Sequence, residues 1–588
     1  MTRPPLLPLE SPLDMPGQVS QVMAEAYRPP RYLIVRRAAL LGIALVLAIA
    51  ATSAFAIALL RDGWQVGDVA LPALFFPLFA GAGFGCAEAL AGFVTMVAQG
   101  KHPAFVPLLR PRGDLVARTA VLVSICDQDA DAVFTRIAAM IRSLSRAQGY
   151  DSFCFFVLSE STDEKDAAER GAWEKLAVRS PVPVYYRKHS PTLSDSVDGI
   201  TAWVRSFGGG YDHMLILDAD SLMSGRAMIG LAAIMQERPS IGLLQTVPTI
   251  IEGRTLFQRW QQFADRLYAP LSTAGILWWS GQEAAFQGTN AMIRTRAYAQ
   301  SCGASLPAAT GKLRFERTAS SSDPAVASLL RWRGWETHIV VMDGSYREWS
   351  PTMPDQAVFD RQKLTGRLAL FRLSDAPGFS VSGSMPMLRT MAAYGASLLW
   401  LATLGMVWIS AMVRRNMPMG TLLWMTISLL LLLWLPKVLA TVWTMVSGER
   451  RGQFGGGRAT LRSLSAEWCL SLLSAPVWMV SRAIDLAETL LSEFCRKQGD
   501  HKPPMGEVMA QYRWYLAFGL LLLTLIPRAP ILAAWLSPVM LSLICAPWLV
   551  KWTADPALGV RAGRAGLFIG MALPGSRISA DNLSPIYK

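Results

Sequence analysis

Ala38–Leu60 runs for 23 residues without a charged side chain. At 1.5 Å per helical residue such a run crosses about 30 Å of hydrocarbon, so this stretch has to be a membrane helix. The loop RDGWQVGD turns the chain, and Val69–Ala98 follows as a second span, interrupted by one acid, Glu88. An acid at that depth is costly and marks either a functional group or a packing contact with another helix. Met391–Val413 and Met419–Ser447 are again long and apolar, the second with Pro436-Lys437 as an expected kink. Trp468–Ser481 is shorter and either spans or lies in the interface. Residues 514–550, broken at Ile526-Pro-Arg-Ala-Pro530, read as a hairpin of two spans, the first rather short. Six to eight spans are expected in all.

Composition agrees. Hydrophobic residues make up 52% of the chain and charged residues 17%, against roughly 25% charged in soluble domains. The net charge of +13 is first a topology signal in such a chain. Basic residues cluster in the N-terminal tail (Arg28, Arg31, Arg36, Arg37), at Lys101, Arg110 and Arg112, and in GERRGQFGGGR. The positive-inside rule places all three in the cytoplasm, with Arg414-Arg415 as a minor violation. The tail has no cleavage-site pattern of a secretory signal. Because the basic residues lie beside spans, no nucleic-acid partner is expected. The seven cysteines are scattered without a CxxC pair, and the five histidines lie far apart, so neither a disulfide framework nor a histidine metal site is expected.

The expected organisation is a cytoplasmic tail (1–37), a membrane hairpin (38–98), a cytoplasmic domain (99–385), a C-terminal membrane region (386–553) and a tail (554–588). Residues 99–385 contain no run long enough to span a bilayer. TAVLVSIC (119–126), FCFFVL (153–158), 182–187, HMLIL (213–217) and IGLLQTV (241–247) read as strands, with helical patterns at 130–147 and 163–178 between the early ones. Continuous apolar strands alternating with helices specify an α/β domain whose sheet is mostly parallel and covered on both faces. Ligands bind such sheets beyond the carboxyl ends of the strands. Those ends carry Asp127-Gln128-Asp129, Ser159-Glu160-Ser161 and Asp218-Ala219-Asp220. Alternate residues of an extended segment point the same way, and paired carboxylates suit a hard divalent cation bridging phosphates. A solvated turn is the alternative explanation of Asp-x-Asp, but a buried strand aims this one at the crevice. FGGGY (207–211) and FGGGR (454–458) lack the phosphate-loop form and read as flexible turns.

The ordered set SICDQDADAVFTRI, LDADSLMSG, LLQTVPTI, QQFADRLYAPLSTAG, GTNAMIR, GSYREWSP and LPKVLA resembles the bacterial osmoregulated periplasmic glucan glucosyltransferases of glycosyltransferase family two. The resemblance implies an α/β glycosyltransferase domain inserted between α-helical transmembrane segments. It implies a multi-pass inner-membrane enzyme that uses UDP-glucose and a divalent cation (Mg or Mn) to extend a β-glucan. Its partners would be the nucleotide sugar, the growing glucan chain, the lipid bilayer and a periplasmic glucan-biosynthesis protein. Carried over residue by residue, Asp218 and Asp220 match the pair that contacts the sugar nucleotide, with Asp220 on the metal. Asp129 and Glu160 hold the nucleoside; Glu160 stands where the family shows Asp. Asp323, ending SSSD and opening DPAVASLLRWRGW, is the general base, although an Asp at a helix start also caps free amides.

Several positions depart from the family pattern. SDSVDGI has no basic residue where a basic-Gly-Asn motif is expected, Gly288-Thr289-Asn290 stands for Gly-His-Asn, and no His precedes Asp323. The acceptor motif ends in Arg-Trp in relatives, whereas VFDRQKLTG offers Arg361, Gln362 and Lys363 and no Trp. Trp278, Trp279 and Trp349 are candidate substitute platforms for the acceptor sugar, with interface packing as the alternative. The departures leave two other readings open: a weak or silent paralogue with a binding role, and an enzyme with another donor or short products.

Overall fold

The computed structural model describes residues 5–15, 29–60, 67–99, 115–189, 199–302, 323–371, 381–413, 419–491 and 512–569. Its centre is a seven-stranded sheet, in which β1 (Thr119–Ile125), β2 (Phe153–Ser159), β3 (Val184–Lys188) and β4 (His213–Asp218) pair in parallel. A short β5 (Ser221–Met223), then β6 (Ile241–Thr246), β7 (Thr249–Ile250), β8 (Ala291–Arg294), β9 (Glu336–Val340) and β10 (Ser345–Arg347) complete the set. The main order is β3-β2-β1-β4-β8-β6-β9, and a small second sheet runs β5-β10-β7. β8 is antiparallel to both β4 and β6. Its four residues are too short to stand out as a strand in the sequence, yet it separates two strands that the pattern alone would pair.

The continuous apolar strands have a direct cause. Val121, Val123, Phe155, Val157, Leu215 and Leu217 pack under the helices Ala130–Leu144, Asp163–Ala177 and Gly225–Glu237. Their neighbours Ala120, Leu122, Phe156, Leu158, Met214 and Ile216 pack on the opposite face with Gly199–Phe207 and Thr295–Cys302. Each large side chain so buried contributes about 1.5–3 kcal/mol. After β3 the chain returns to the far side of β1 to form β4, so the strand order reverses between β1 and β4. That reversal opens a crevice at their carboxyl ends.

Among the described residues five helices are long and apolar enough to cross a membrane: Arg31–Leu59, Val69–Ala98, Ala392–Val413, Leu422–Val446 and Gly457–Thr489. Pro530–Ile544 and Ala546–Thr553, which meet at 58°, make a sixth when counted as one broken span. The expected range of six to eight is thus met only at its lower end among the described residues. Trp468–Ser481 proves to be the middle of a long helix. The expected second hairpin is present as Arg513–Leu523 packed against Pro530–Ile544, but its first arm has only 11 residues, about 16 Å of helix, too short to span.

The helix Leu256–Ser280 joins domain to membrane. Thr255 caps it in a capping box with Gln258. Gly92 and Gly275 let it touch the second membrane helix: a Cβ at Gly92 would lie 2.4 Å from the Leu271 carbonyl oxygen, and one at Gly275 would lie 2.5 Å from that of Glu88. Arg36 and Arg37 donate to the Trp278 and Trp279 carbonyls, both at 3.0 Å. The basic end of the first membrane helix therefore sits on the same side as the α/β domain. FGGGY is not a loose turn: Ser11 accepts from the Gly209 N–H at 2.9 Å, and a Cβ there would lie 2.8 Å from the Pro12 oxygen.

Candidate active site

The carboxyl ends of β1, β2 and β4 open into one cavity of about 2100 Å³. Asp129, Glu160, Asp218, Asp220 and Gln362 all line it. The β1 and β2 ends are tied together locally. Asp127, held at φ 61°, accepts from the Thr162 N–H and hydroxyl, both at 2.9 Å, while its own N–H donates to Ser161 Oγ at 2.8 Å. Asp129 caps the helix Ala130–Leu144, accepting from the Asp131 N–H at 3.2 Å. The Glu160 N–H donates to the Ile125 carbonyl at 2.9 Å.

The Asp-Ala-Asp turn after β4 is fixed from behind. The Asp218 N–H donates to Thr289 Oγ1 at 2.9 Å. Asn290, fully buried at φ 55°, accepts from Ser221 Oγ at 2.7 Å and donates to Ser345 Oγ at 2.9 Å. Gly288-Thr289-Asn290 is therefore the backing of the acid pair. On the other side the Glu348 N–H donates to the Asp220 carbonyl at 3.1 Å. Arg136 bridges them, donating to the Ala219 carbonyl at 3.0 Å and to Glu348 Oε1 at 2.5 and 3.0 Å. Burial pushes the Asp220 carboxyl above the usual carboxylate range, against the pull of Arg347; Glu348 pushes the same way as burial. Arg136, Arg347 and Glu348 carry no motif spacing of their own. Only the resemblance pointed to their segments, SICDQDADAVFTRI for Arg136 and GSYREWSP for Arg347 and Glu348.

The remaining expected residues separate. Gln362, on the helix Met353–Phe371, faces the cavity. Arg361 turns away to pair with Glu488, and the Lys363 ammonium lies 4.4 Å from the centre of the Phe359 ring. Trp278 and Trp279 are not brought to the cavity. Trp279 is 2% exposed, packs with Leu40 and Ala87 and donates to Glu88 at 3.4 Å, while Arg36 covers Trp278. Both belong to the membrane junction, because the helix that carries them ends against the first two spans. Trp349 does line the cavity. Asp323 opens the helix Asp323–Trp332; its side chain, like the 303–322 segment before it, lies outside the described part of the structure.

No family model matches the chain. Among solved structures, the mannosyltransferase PcManGT from Pyrobaculum calidifontis, in complex with GDP-Man and Mn2+, aligns over 71% of this chain and 99% of its own at 13% identity. The TM-score of that alignment is 0.41. Curated relatives are far more similar. Glucans biosynthesis glucosyltransferase H of Xanthomonas campestris pv. campestris (strain B100) is 31% identical over 96% of this chain and 92% of its own. The proteins of the same name from Caulobacter vibrioides (strain NA1000 / CB15N) and Xylella fastidiosa (strain 9a5c) are each 32% identical, over 84% and 96% of this chain and 79% and 93% of theirs. The similarity thus extends well beyond the motifs of the α/β domain, and the chain belongs to the glucans biosynthesis glucosyltransferase H family.

Proposed function

We propose that this glycosyltransferase moves glucose from UDP-glucose onto a growing β-glucan, with inversion, at the cytoplasmic face of a bacterial inner membrane. The observation that carries the reading is the single cavity gathering Asp129, Glu160, Asp218, Asp220 and Gln362 at the switch point of the sheet. Asp129 and Glu160 hold the uridine, and Asp218 and Asp220 face the sugar diphosphate. The donor set fits a divalent cation: two carboxylates one residue apart, one of them with its carboxyl raised by burial, which a positive partner would counter. Bound at Asp220, Mg or Mn would neutralise the leaving diphosphate. Asp323 takes the proton of the acceptor hydroxyl as that oxygen bonds to the anomeric carbon and the bond to the diphosphate breaks.

The absence of a Trp beside Gln362 supports a second reading, in which products are short. Purified protein with UDP-glucose and a divalent cation, assayed for UDP and for polymer, separates the cases. Polymer supports the first reading, UDP with short products the second, and neither product a silent paralogue. Asp218→Asn and Asp220→Asn should each abolish transfer while insertion in the membrane persists; full activity in both would overturn the site. Reporter fusions near residue 200 should behave as cytoplasmic and those in the 61–68 loop as periplasmic.

A further inference from the structure

About 2100 Å³ is more than twice the ~1000 Å³ at the upper end of small-ligand sites. A nucleotide sugar on the acid rim leaves a second compartment to fill. Its walls come from outside the sheet. The helix Met353–Phe371 supplies Asp355, Phe359 and Gln362, and the helix Ala546–Thr553 supplies Trp548, Lys551 and Trp552. The 58° bend swings Ala546–Thr553 out of line with Pro530–Ile544 and sets it against both Met353–Phe371 and Leu256–Ser280.

Trp548 and Trp552 are four residues apart on one helix, so their rings share a face. They are 53% and 49% exposed, and both line the cavity. Trp349 lines it too, with the Arg347 guanidinium 4.7 Å from its ring centre. An exposed Trp beside a membrane helix is ordinarily an interface anchor. Anchoring does not account for two that line a cavity shared with the donor acids. Aromatic faces beside carboxylates and a side-chain amide are what a pyranose needs: C–H bonds to stack and hydroxyls to satisfy.

We propose that Trp548 and Trp552, with Trp349, form the acceptor subsite for the β-glucan chain, doing by stacking from the C-terminal bent helix what VFDRQKLTG cannot do without a Trp. The proposal rests on the glucosyltransferase reading for its occupant and is tested apart from it by binding alone. The full chain in lipid nanodiscs is titrated with sophoro-, laminari-, cello- and gentio-tetraose, and binding is read by isothermal calorimetry. At least one tetrasaccharide should bind. The double variant Trp548→Leu/Trp552→Leu, which keeps apolar anchoring but removes the rings, should weaken it roughly tenfold, about 1.4 kcal/mol. Trp548→Phe/Trp552→Phe should recover most of that loss. Trp514→Leu, an exposed Trp outside the cavity, should bind as wild type does. In the turnover assay the Leu variant should give shorter products and a raised KM for added tetrasaccharide. No tetrasaccharide binding to wild type, or equal binding by the Leu double variant, overturns the subsite. Tetrasaccharide binding without UDP release from UDP-glucose overturns the transfer reading and leaves the subsite standing.

Discussion

The hydroxyl of Thr289 accepts the backbone N–H of Asp218 at 2.9 Å, so a residue that departs from the family pattern holds the first acid of the pair in place. Thr289 is 8% exposed, and its removal leaves that N–H with only the longer bond to Ser221 Oγ at 3.3 Å, a loss of about 0.5–1.5 kcal/mol. Thr289→Val, which keeps the shape and deletes the acceptor, should raise the KM for UDP-glucose fivefold or more. Thr289→Ser should restore it. Initial rates across donor concentration check this, and a Val variant with wild-type KM would count against the role.

Asp265 shows the same dependence on burial, with a pH signature. Burial lifts its carboxyl to about 6, while Arg347 and the Ile250 N–H pull it down. In the unfolded chain an Asp titrates near ~3.9. Between about pH 4 and pH 6 the folded protein therefore holds a proton that the unfolded chain has released, and stability falls as pH rises through that window. The cost above it is on the order of 2–3 kcal/mol. Asp265→Asn should melt above wild type at neutral pH, and the gap should close toward pH ~4. A gap that widens on acidification would reverse the assignment.

The sheet was legible because β1, β2 and β4 are buried on both faces, and burial on both faces writes itself as unbroken apolar runs. The acids at their ends were legible for the same reason. What the sequence concealed depends on contacts between distant segments. β8 has four residues and gains its strand state from β4 and β6. Arg136 and Glu348 meet across 212 positions. Trp278-Trp279 and Trp548 have the same local look, aromatic residues at the edge of an apolar run. Only the bend after Ile544 decides that the latter reaches the cavity.

Glu88 is an intramembrane acid answered by an ion pair between helices. It is 3% exposed and pairs with Arg389 at 2.9 Å, joining the second membrane helix to Val381–Val413. Arg389 is 44% exposed and Trp279 still donates to Glu88 at 3.4 Å, so Arg389→Leu should cost about 1–3 kcal/mol. Glu88→Gln/Arg389→Leu removes both charges and should recover most of that loss. Thermal unfolding of the three proteins in one detergent checks the order. A double variant no more stable than Arg389→Leu would show that the pair is not what holds these helices.

Asp323 and Gln362 bear on the same acceptor hydroxyl in the proposed reaction. If Asp323 is the base, Asp323→Asn should leave UDP-glucose binding nearly intact and lower turnover about 10²–10⁴-fold. Ser321 and Ser322 cannot take over, since an unactivated hydroxyl is a poor base near neutral pH. Gln362 faces the cavity, and Lys363 lies one turn from Phe359, which lines it too. Gln362→Arg with Lys363→Trp rebuilds the Arg-Trp of the relatives on that helix. A new stacking contact of about 0.5–1.5 kcal/mol should hold the acceptor longer and lengthen the products. It should also soften the effect of removing Trp548 and Trp552, because either platform can then hold the chain. Product sizing of the four combinations decides the matter. Longer chains in the rebuilt variant, with a smaller drop on loss of the two tryptophans, is the expected result. Equal drops in both backgrounds would mean that the two platforms do not serve the same sugar.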